Sequence, residues 1–389
     1  MLSIFKRIPG VLALYLMIGL ARVSQTLDKL PADPGFDRLR EVRTDGLRGV
    51  FSQSLGYLDI SAHVGPLITT AFGLQYSAII LTLTTVLITA LLALIIYCAV
   101  LTEIGSRIFA VICGALFMLI PAAAESTLGN HGSLKWPLVA VLCVVISARE
   151  FRSRYIGVVL VLIFFTGLSN PFAFVALSGS MTQYLRNRRG EVGAERLIIS
   201  CTIMTTLLQF VVWSSSGISS HIYESATFLP WKGMGMFWWW NWISPVVFST
   251  IVLAYVASVS RNRSSTITYA GWLALSALVL WILMYWEAGI KDSTAVATCS
   301  LSSIALLIAV HSLKPMKIQR LLSVGAVGSF ALLSIPWFSA GWYITDSPNW
   351  SSEITRLQSD CEHLGVQHGE VLIQTTHIEF TCDEIGKWG

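Results

Sequence analysis

Charge is the scarcest ingredient of this sequence. Asp, Glu, Lys and Arg make up 12% of its 389 residues, against roughly 25% in an ordinary soluble domain. Familiar soluble chemistry is missing as well. There is no Walker A loop, no G-x-S-x-G elbow, no H-E-x-x-H pair and no G-x-G-x-x-G fingerprint, which argues against nucleotide-dependent and common hydrolytic catalysis. Ionisable residues are rare inside the apolar runs, where pumps and proton-coupled transporters keep them. No inverted repeat is visible either, so transport is disfavoured. Cys98, Cys113, Cys143, Cys201 and Cys299 fall within hydrophobic runs and read as small apolar side chains. No His/Cys spacing matches a zinc site, and His363, His368 and His377 read as surface residues. No metal ligand set is expected.

What the chain has is apolar length. Hydrophobic residues make up 54%, mean hydropathy is +0.67 and 14 residues are tryptophan. Runs such as YSAIILTLTTVLITALLALIIYCAVL exceed the roughly 18 apolar residues that a spanning helix requires. The expectation is an all-α polytopic membrane protein with about eleven transmembrane helices. They fall near 8–23, 75–101, 107–123, 135–148, 155–169, 171–185, 196–213, 242–259, 267–286, 293–311 and 319–340. The pair over 155–185 also reads as one long broken segment, which would change the parity. The N-terminal MLSIFKRIPGVLALYLMIGLARVSQ has the outline of a signal peptide, but its small-residue cleavage signature is poor and it reads as an uncleaved first span.

Basic residues set the orientation. Arg107, then Arg149, Arg152 and Arg154, then Arg186, Arg188, Arg189 and Arg196, then Arg261 and Arg263, then Lys314, Lys317 and Arg320 fall on alternate connections. Apart from the first, where Lys29, Arg38, Arg40, Arg43 and Arg48 face a similar number of acids in a long segment exempt from the rule, the opposite connections hold single lysines, Lys135, Lys232 and Lys291. By the positive-inside rule the N-terminus is cytoplasmic and the C-terminus is outside. The formal net charge of +4 therefore carries no nucleic-acid reading, and membrane lipid is the surface partner expected.

Residues 1–340 read as a transmembrane domain with outer loops at 24–74, 124–134 and 214–241, and 341–389 as an extracytoplasmic C-terminal domain. The second half of the first loop, GLRGVFSQSLGYLDISAHVGPLITTAF, is amphipathic enough to lie along the membrane surface. In the tail, SSEITRLQSDCEHL reads as a helix and EVLIQ and HIEFTC as two short strands. Cys361 and Cys382 are the two cysteines in a polar setting, and a disulfide between them would staple this small α+β segment in an oxidising compartment.

Candidate chemistry lies on the outer side. The first loop gathers Asp37, Asp45 and Asp59 among arginines that include Arg48. The stretch PAAAESTLGNHGSLKWP places Glu125, Asn130, His131 and Trp136 at the membrane edge, and partial desolvation of Glu125 would favour its protonated form. Lys291 in YWEAGIKDS is placed to bind a lipid phosphate or to snorkel. The tryptophans of FWWWNW read as an interfacial belt or a stacking platform.

The pattern of one span, a long acidic outer loop, many spans and an outer tail resembles the type C glycosyltransferases, polytopic enzymes that use polyprenyl-phosphate sugars. The stretches DGLRGVFSQSLGYLDI, PAAAESTLGNHGSLKWPL and PNWSSEITRLQSDC…IEFTC resemble a group of poorly characterised bacterial multipass proteins. The resemblance implies a bacterial plasma-membrane enzyme moving a hexose or pentose from a polyprenyl-phosphate-linked sugar to a glycan or lipid acceptor of the envelope. It implies a base in the first outer loop, for which Asp45 matches, with Asp37 or Asp59 as substitutes and Glu125 as a second catalytic acid. It also implies a cation on the donor phosphate, Lys291 or Arg48. Asn130, His131, Trp136 and Tyr57 are the expected sugar or acceptor contacts. The narrower group has a histidine where Asp59 stands and an arginine where His63 stands, and this chain departs at both. No cofactor follows, and the question of a divalent cation stays open. A polysaccharide polymerase, a lipid-linked glycan flippase or transporter, and a non-catalytic membrane protein are the alternatives.

Overall fold

The computed structural model describes residues 8–30, 35–54, 57–119, 131–177, 192–215, 236–258, 265–288, 292–312, 347–363, 367–373 and 376–388. The protein is mostly helical. Helix α1 spans Ile8–Val23, α2 Gly35–Asp45, α3 Ile60–Thr69, α4 Ser77–Ile104, α5 Arg107–Leu119, α6 Lys135–Ser147, α7 Arg149–Arg154 and α8 Ile156–Gly167. Then follow α9 Val192–Ser215, α10 Met236–Ser258, α11 Ser265–Ala288, α12 Asp292–His311, α13 Trp350–His363 and α14 Cys382–Trp388. Strands β1 (Gln53–Ser54) and β2 (Tyr57–Leu58) form one small antiparallel pair, and β3 (His368–Ile373) and β4 (Thr376–Thr381) another.

Three segments among the described residues are long and apolar enough to cross a membrane: Leu74–Ile104, Gly193–Val212 and Thr266–Leu283. The chain is a membrane protein by that measure. Helix α6 is buried along its whole length, as befits a helix apolar on all sides at the centre of a bundle. Around it, contacts at both ends of neighbouring helices fix their directions. Tyr15 Oη donates to the Val111 carbonyl (3.1 Å) and Arg22 to the Met118 carbonyl, so α1 and α5 run parallel with α4 returning between them. Gly114 permits this approach: a Cβ there would sit 2.2 Å from Tyr15 Oη and 2.9 Å from the Ala93 carbonyl oxygen. In the same way Ser244 meets Cys299 and Tyr255 meets Ser312, which sets α10 parallel to α12.

Helices α8 and α9 are parallel too, since Arg152 just before α8 pairs with Glu195 while the Gly167 carbonyl at its far end accepts from Gln209. A return path between them is therefore required. Helix α8 stops at Gly167, and Asn170 caps a 3-10 turn at Pro171–Ala176 by accepting from the Phe172 N–H (2.9 Å). The pair expected over 155–185 is thus broken after Gly167, and its part beyond residue 177 lies outside the described residues.

One end of the helical body carries a lobe built from two distant pieces of chain. Leu30, Phe36, Leu39, Leu74 and Leu81 share a core with Trp350, Ile354, Leu357, Val371, Phe380 and Trp388. Phe380 packs edge-on against Phe36 (5.2 Å between centroids) and Trp388 (6.3 Å). Trp350 donates through Nε1 to the Leu74 carbonyl (2.8 Å), and its N–H to the Asp28 carbonyl (2.8 Å). The expected helix, strand pair and Cys361–Cys382 disulfide are all present in the tail. The tail is not a free-standing domain, however. It is too small to enclose its own aromatics, and α2 completes its core. The helix after Asp59 buries one side, with Ser61, Ala62, His63, Gly65, Pro66 and Thr69 of α3 packed into the protein, while Ile68 stays exposed.

Polar contacts close the lobe. Arg40 holds Glu384 through both carboxylate oxygens (2.8 and 2.9 Å from Nη2). Arg43 donates to the carbonyls of Trp388 (2.9 Å), Thr69 (2.7 Å) and Phe72 (3.0 Å), and burial brings its pKa down to about 10. Partial burial pushes the Glu384 carboxyl up, but the Thr381 N–H and the Arg40 guanidinium outweigh it and hold the pKa below the ordinary 4.5. A carboxyl depressed in the folded state contributes above its unfolded value and stops contributing as pH falls through the folded one. Proteolysis of the tail should therefore run at a constant rate down to about pH 4.5 and accelerate below it. Arg40→Ala should raise the neutral-pH rate and flatten that dependence; an unchanged profile in the variant would remove the pair from the account.

Candidate functional site

Beneath this lobe, three helices and a strand converge on Asp59. Its Oδ1 accepts from the Ala62 N–H (3.3 Å) and the Ser61 hydroxyl (2.9 Å), the N-cap role for which aspartate is favoured. Its Oδ2 lies 3.5 Å from Arg38 Nη2 on α2 and 3.5 Å from Lys135 Nζ in the first turn of α6. Asp59 is 0% exposed, Arg38 4% and Lys135 8%. Each charge alone would cost several kcal/mol to bury, so removing Asp59 leaves both cations without the carboxylate they share. Lys135 also donates to Tyr57 Oη and stands over the Tyr57 ring at 5.0 Å.

One turn further along both helices lies a second cluster. Glu41 follows Arg38 by three residues on α2 and His63 follows Asp59 by four on α3, so each pair shares a helix face. His63 Nδ1 is 2.7 Å from the Asp59 carbonyl. A carbonyl can only accept, so Nδ1 carries a proton. Nε2 lies 3.1 Å from Ser52 Oγ and 3.3 Å from Glu41 Oε2, while Ser52 Oγ donates to the same Oε2 at 2.7 Å. With His63 neutral, Nε2 and Oε2 would meet as two acceptors. The Ser52 hydroxyl bridges the two, so Ser52, His63 and Glu41 form one hydrogen-bonded cluster. It is not a nucleophilic triad, in which hydroxyl and carboxylate bind opposite ring nitrogens; here both bind Nε2. His63 is wholly buried, whereas the Glu41 side chain is 43% exposed.

The site rests on the ends of α8 and α9. Gln209 imitates a strand partner, accepting from the Leu58 N–H and donating to the Leu58 carbonyl, each at 3.0 Å. Ser169 Oγ accepts from the Ser61 N–H at 2.9 Å. No protein-family model and no curated protein matches this chain. Its chemistry therefore has to come from its own geometry.

That geometry redistributes the expected residues. Asp45 is exposed at the end of α2, makes no capping hydrogen bond, and stands four residues beyond Glu41 on the same helix face. Asp37 and Arg48 are exposed as well. Asp59, a substitute for the base, is sealed: both oxygens are committed to a helix cap and two cations. Tyr57 takes part through Lys135. Trp136 is 7% exposed and stacked on Phe172 at 5.8 Å, so its ring is closed to a sugar by core packing. Glu125, Asn130 and Lys291 lie outside the described residues, as does the side chain of His131.

Glu41 belongs to the acids that the sequence gathers in the first loop and Lys135 is visible as a lone lysine, but no sequence pattern gives either a role at this site, and none marks Arg38, Ser52 or Gln209. Arg38 and Glu41 were hidden in a charge-balanced helix. The lone Lys135 at the head of an apolar run was the one available signal, because a lysine there must snorkel or find a buried counter-charge.

Asp59→Ala should lower stability by about 3–5 kcal/mol, the cost of stranding buried partners, with loss of monodisperse protein in detergent on heating. Asp59→Asn paired with Lys135→Met should recover part of that loss. Equal melting of wild type and Asp59→Ala would mean the junction is solvated and not a buried ion network.

Proposed function

We propose that this chain is a membrane glycosyltransferase that moves a sugar from a polyprenyl-phosphate donor to a cell-envelope glycan or lipid acceptor on the extracytoplasmic face of a bacterial plasma membrane. The reading carries with it the eleven-span, N-in/C-out topology expected from the sequence. The observation that supports it best is the half-exposed Glu41 carboxylate, backed by buried His63 and set beside the buried cations Arg38 and Lys135. An acid for the acceptor and positive charge for a phosphate then occupy one end of the helical body. The packing of tail on first loop is in keeping with an even number of crossings between them, as this topology requires.

In this scheme the acceptor hydroxyl gives its proton to Glu41 as its oxygen attacks the anomeric carbon. The bond from that carbon to the phosphate oxygen breaks, and polyprenyl phosphate departs with the electron pair. General-base help of this kind is worth roughly 10²–10⁴-fold. The cations Arg38 and Lys135 stabilise the charge that builds on the leaving phosphate. Glu41 replaces Asp45 as the first choice of base because it has a buried partner that orients it, whereas Asp45 has only solvent; Asp45 becomes its neighbour at the mouth.

A deletion strain complemented with wild type, Glu41→Gln, Asp45→Asn or Glu125→Gln tests this, with surface glycans read by mass spectrometry and membrane insertion checked for each variant. A sugar lost in the deletion, restored by wild type and reduced about 100-fold or more in Glu41→Gln, is expected. Full restoration by Glu41→Gln moves the base to whichever other variant fails. Glycans unchanged in the deletion itself would favour a transport or non-catalytic role.

A further inference from the structure

The turn Gly46–Phe51 sits beside the Glu41 cluster but takes no part in it. Gly46 adopts φ +60°, the left-handed conformation that lets the chain reverse after α2. Gly49 then seats the turn on that helix backbone to backbone: a Cβ there would lie 2.7 Å from the Glu41 carbonyl oxygen. Held so closely from behind, the turn buries Val50 and projects Leu47, Arg48 and Phe51 outward. Leu47 is 69% exposed and Phe51 61%. Arg48 between them is exposed and makes no ion pair with any described residue.

The height of the turn is set by its neighbour Arg43, which donates to the Phe72 carbonyl and to the hydroxyl of Ser77, the first residue of α4. Helix α4 lies within the longest of the three apolar segments. The turn thus stands where the chain enters the apolar layer. Phe72 and Tyr76, both 51% exposed, flank that entry.

We propose that this turn is a foot on the bilayer: Leu47 and Phe51 enter the boundary between headgroups and acyl chains, and Arg48 binds the phosphate of an anionic phospholipid. A cation framed by two apolar side chains matches an anion lying over hydrocarbon, and the patch is continuous with the membrane entry of α4. A soluble partner or a second copy would have to compete with the bilayer for the same face. The inference does not depend on the catalytic reading. If that reading holds, the seat of Gly49 on the Glu41 carbonyl makes the foot the device that fixes the height of the catalytic carboxylate above the membrane.

The full chain carrying Leu47→Cys with a fluorophore, reconstituted in nanodiscs, tests the foot, with unlabelled wild type as blank and Phe51→Cys as the second site. Quenching by lipid spin-labelled near the headgroup is expected at both positions, with protection from aqueous iodide. Replacing phosphatidylcholine by a mixture with phosphatidylglycerol should enrich anionic lipid at the label about fivefold, and Arg48→Glu should abolish that enrichment. Iodide quenching equal to that of free dye would overturn the proposal. So would protection that persists in detergent together with a cross-linked dimer, which would assign the face to a second copy. Lipid quenching that is the same in both lipid mixtures would overturn the phosphate contact.

Discussion

The fold of this end of the helical body depends on one buried carboxylate. Asp59 starts α3, pairs with Arg38 of α2 and anchors Lys135 at the head of the central helix α6. These three elements come from the first loop and from the helical body. The ion cluster is a constraint more than a source of stability, because burying the three charges costs about as much as their attraction returns. What it confers is position. With the cations fixed, the His63 ring is held by the Asp59 carbonyl, and Glu41 meets the ring at the surface.

Helix α2 is held from its other side by the tail. Phe36, Arg40 and Arg43 face Phe380, Glu384 and the Trp388 carbonyl, while Arg38 and Glu41 face α3. An eleven-residue helix with a poor intrinsic tendency to fold alone is thereby clamped between two partners far away in sequence. The disulfide between Cys361 and Cys382 ties α13 to the end of β4, so the surface that presents Phe380 and Trp388 to α2 is braced internally. The tail therefore bears on the geometry of the site without contributing a residue to it.

The functional reading follows the same division. A half-exposed carboxylate backed by a buried histidine, with two buried cations beneath, is the combination on which we propose activation of a hydroxyl near a phosphate. The loop acids that stood out in sequence, Asp37 and Asp45, stand in solvent. The acid with a partner, Glu41, was inconspicuous because its partner lies twenty-two residues away and its orientation depends on a third segment.

Apolar run length determined the helical membrane class, and two cysteines in an otherwise polar tail determined its disulfide, since both depend on local composition and redox chemistry alone. Burial was not legible. The amphipathic pattern after Asp59 does not say which residues are covered by protein, and only the packing of α2 and α4 shows that Ser61, Ala62, His63, Gly65, Pro66 and Thr69 are. Nor does sequence reveal which of several like charges becomes buried, because that choice is made by convergence: Arg38, Asp59 and Lys135 act together only once chain segments almost a hundred residues apart are brought to one point, where low dielectric makes their pairing obligatory.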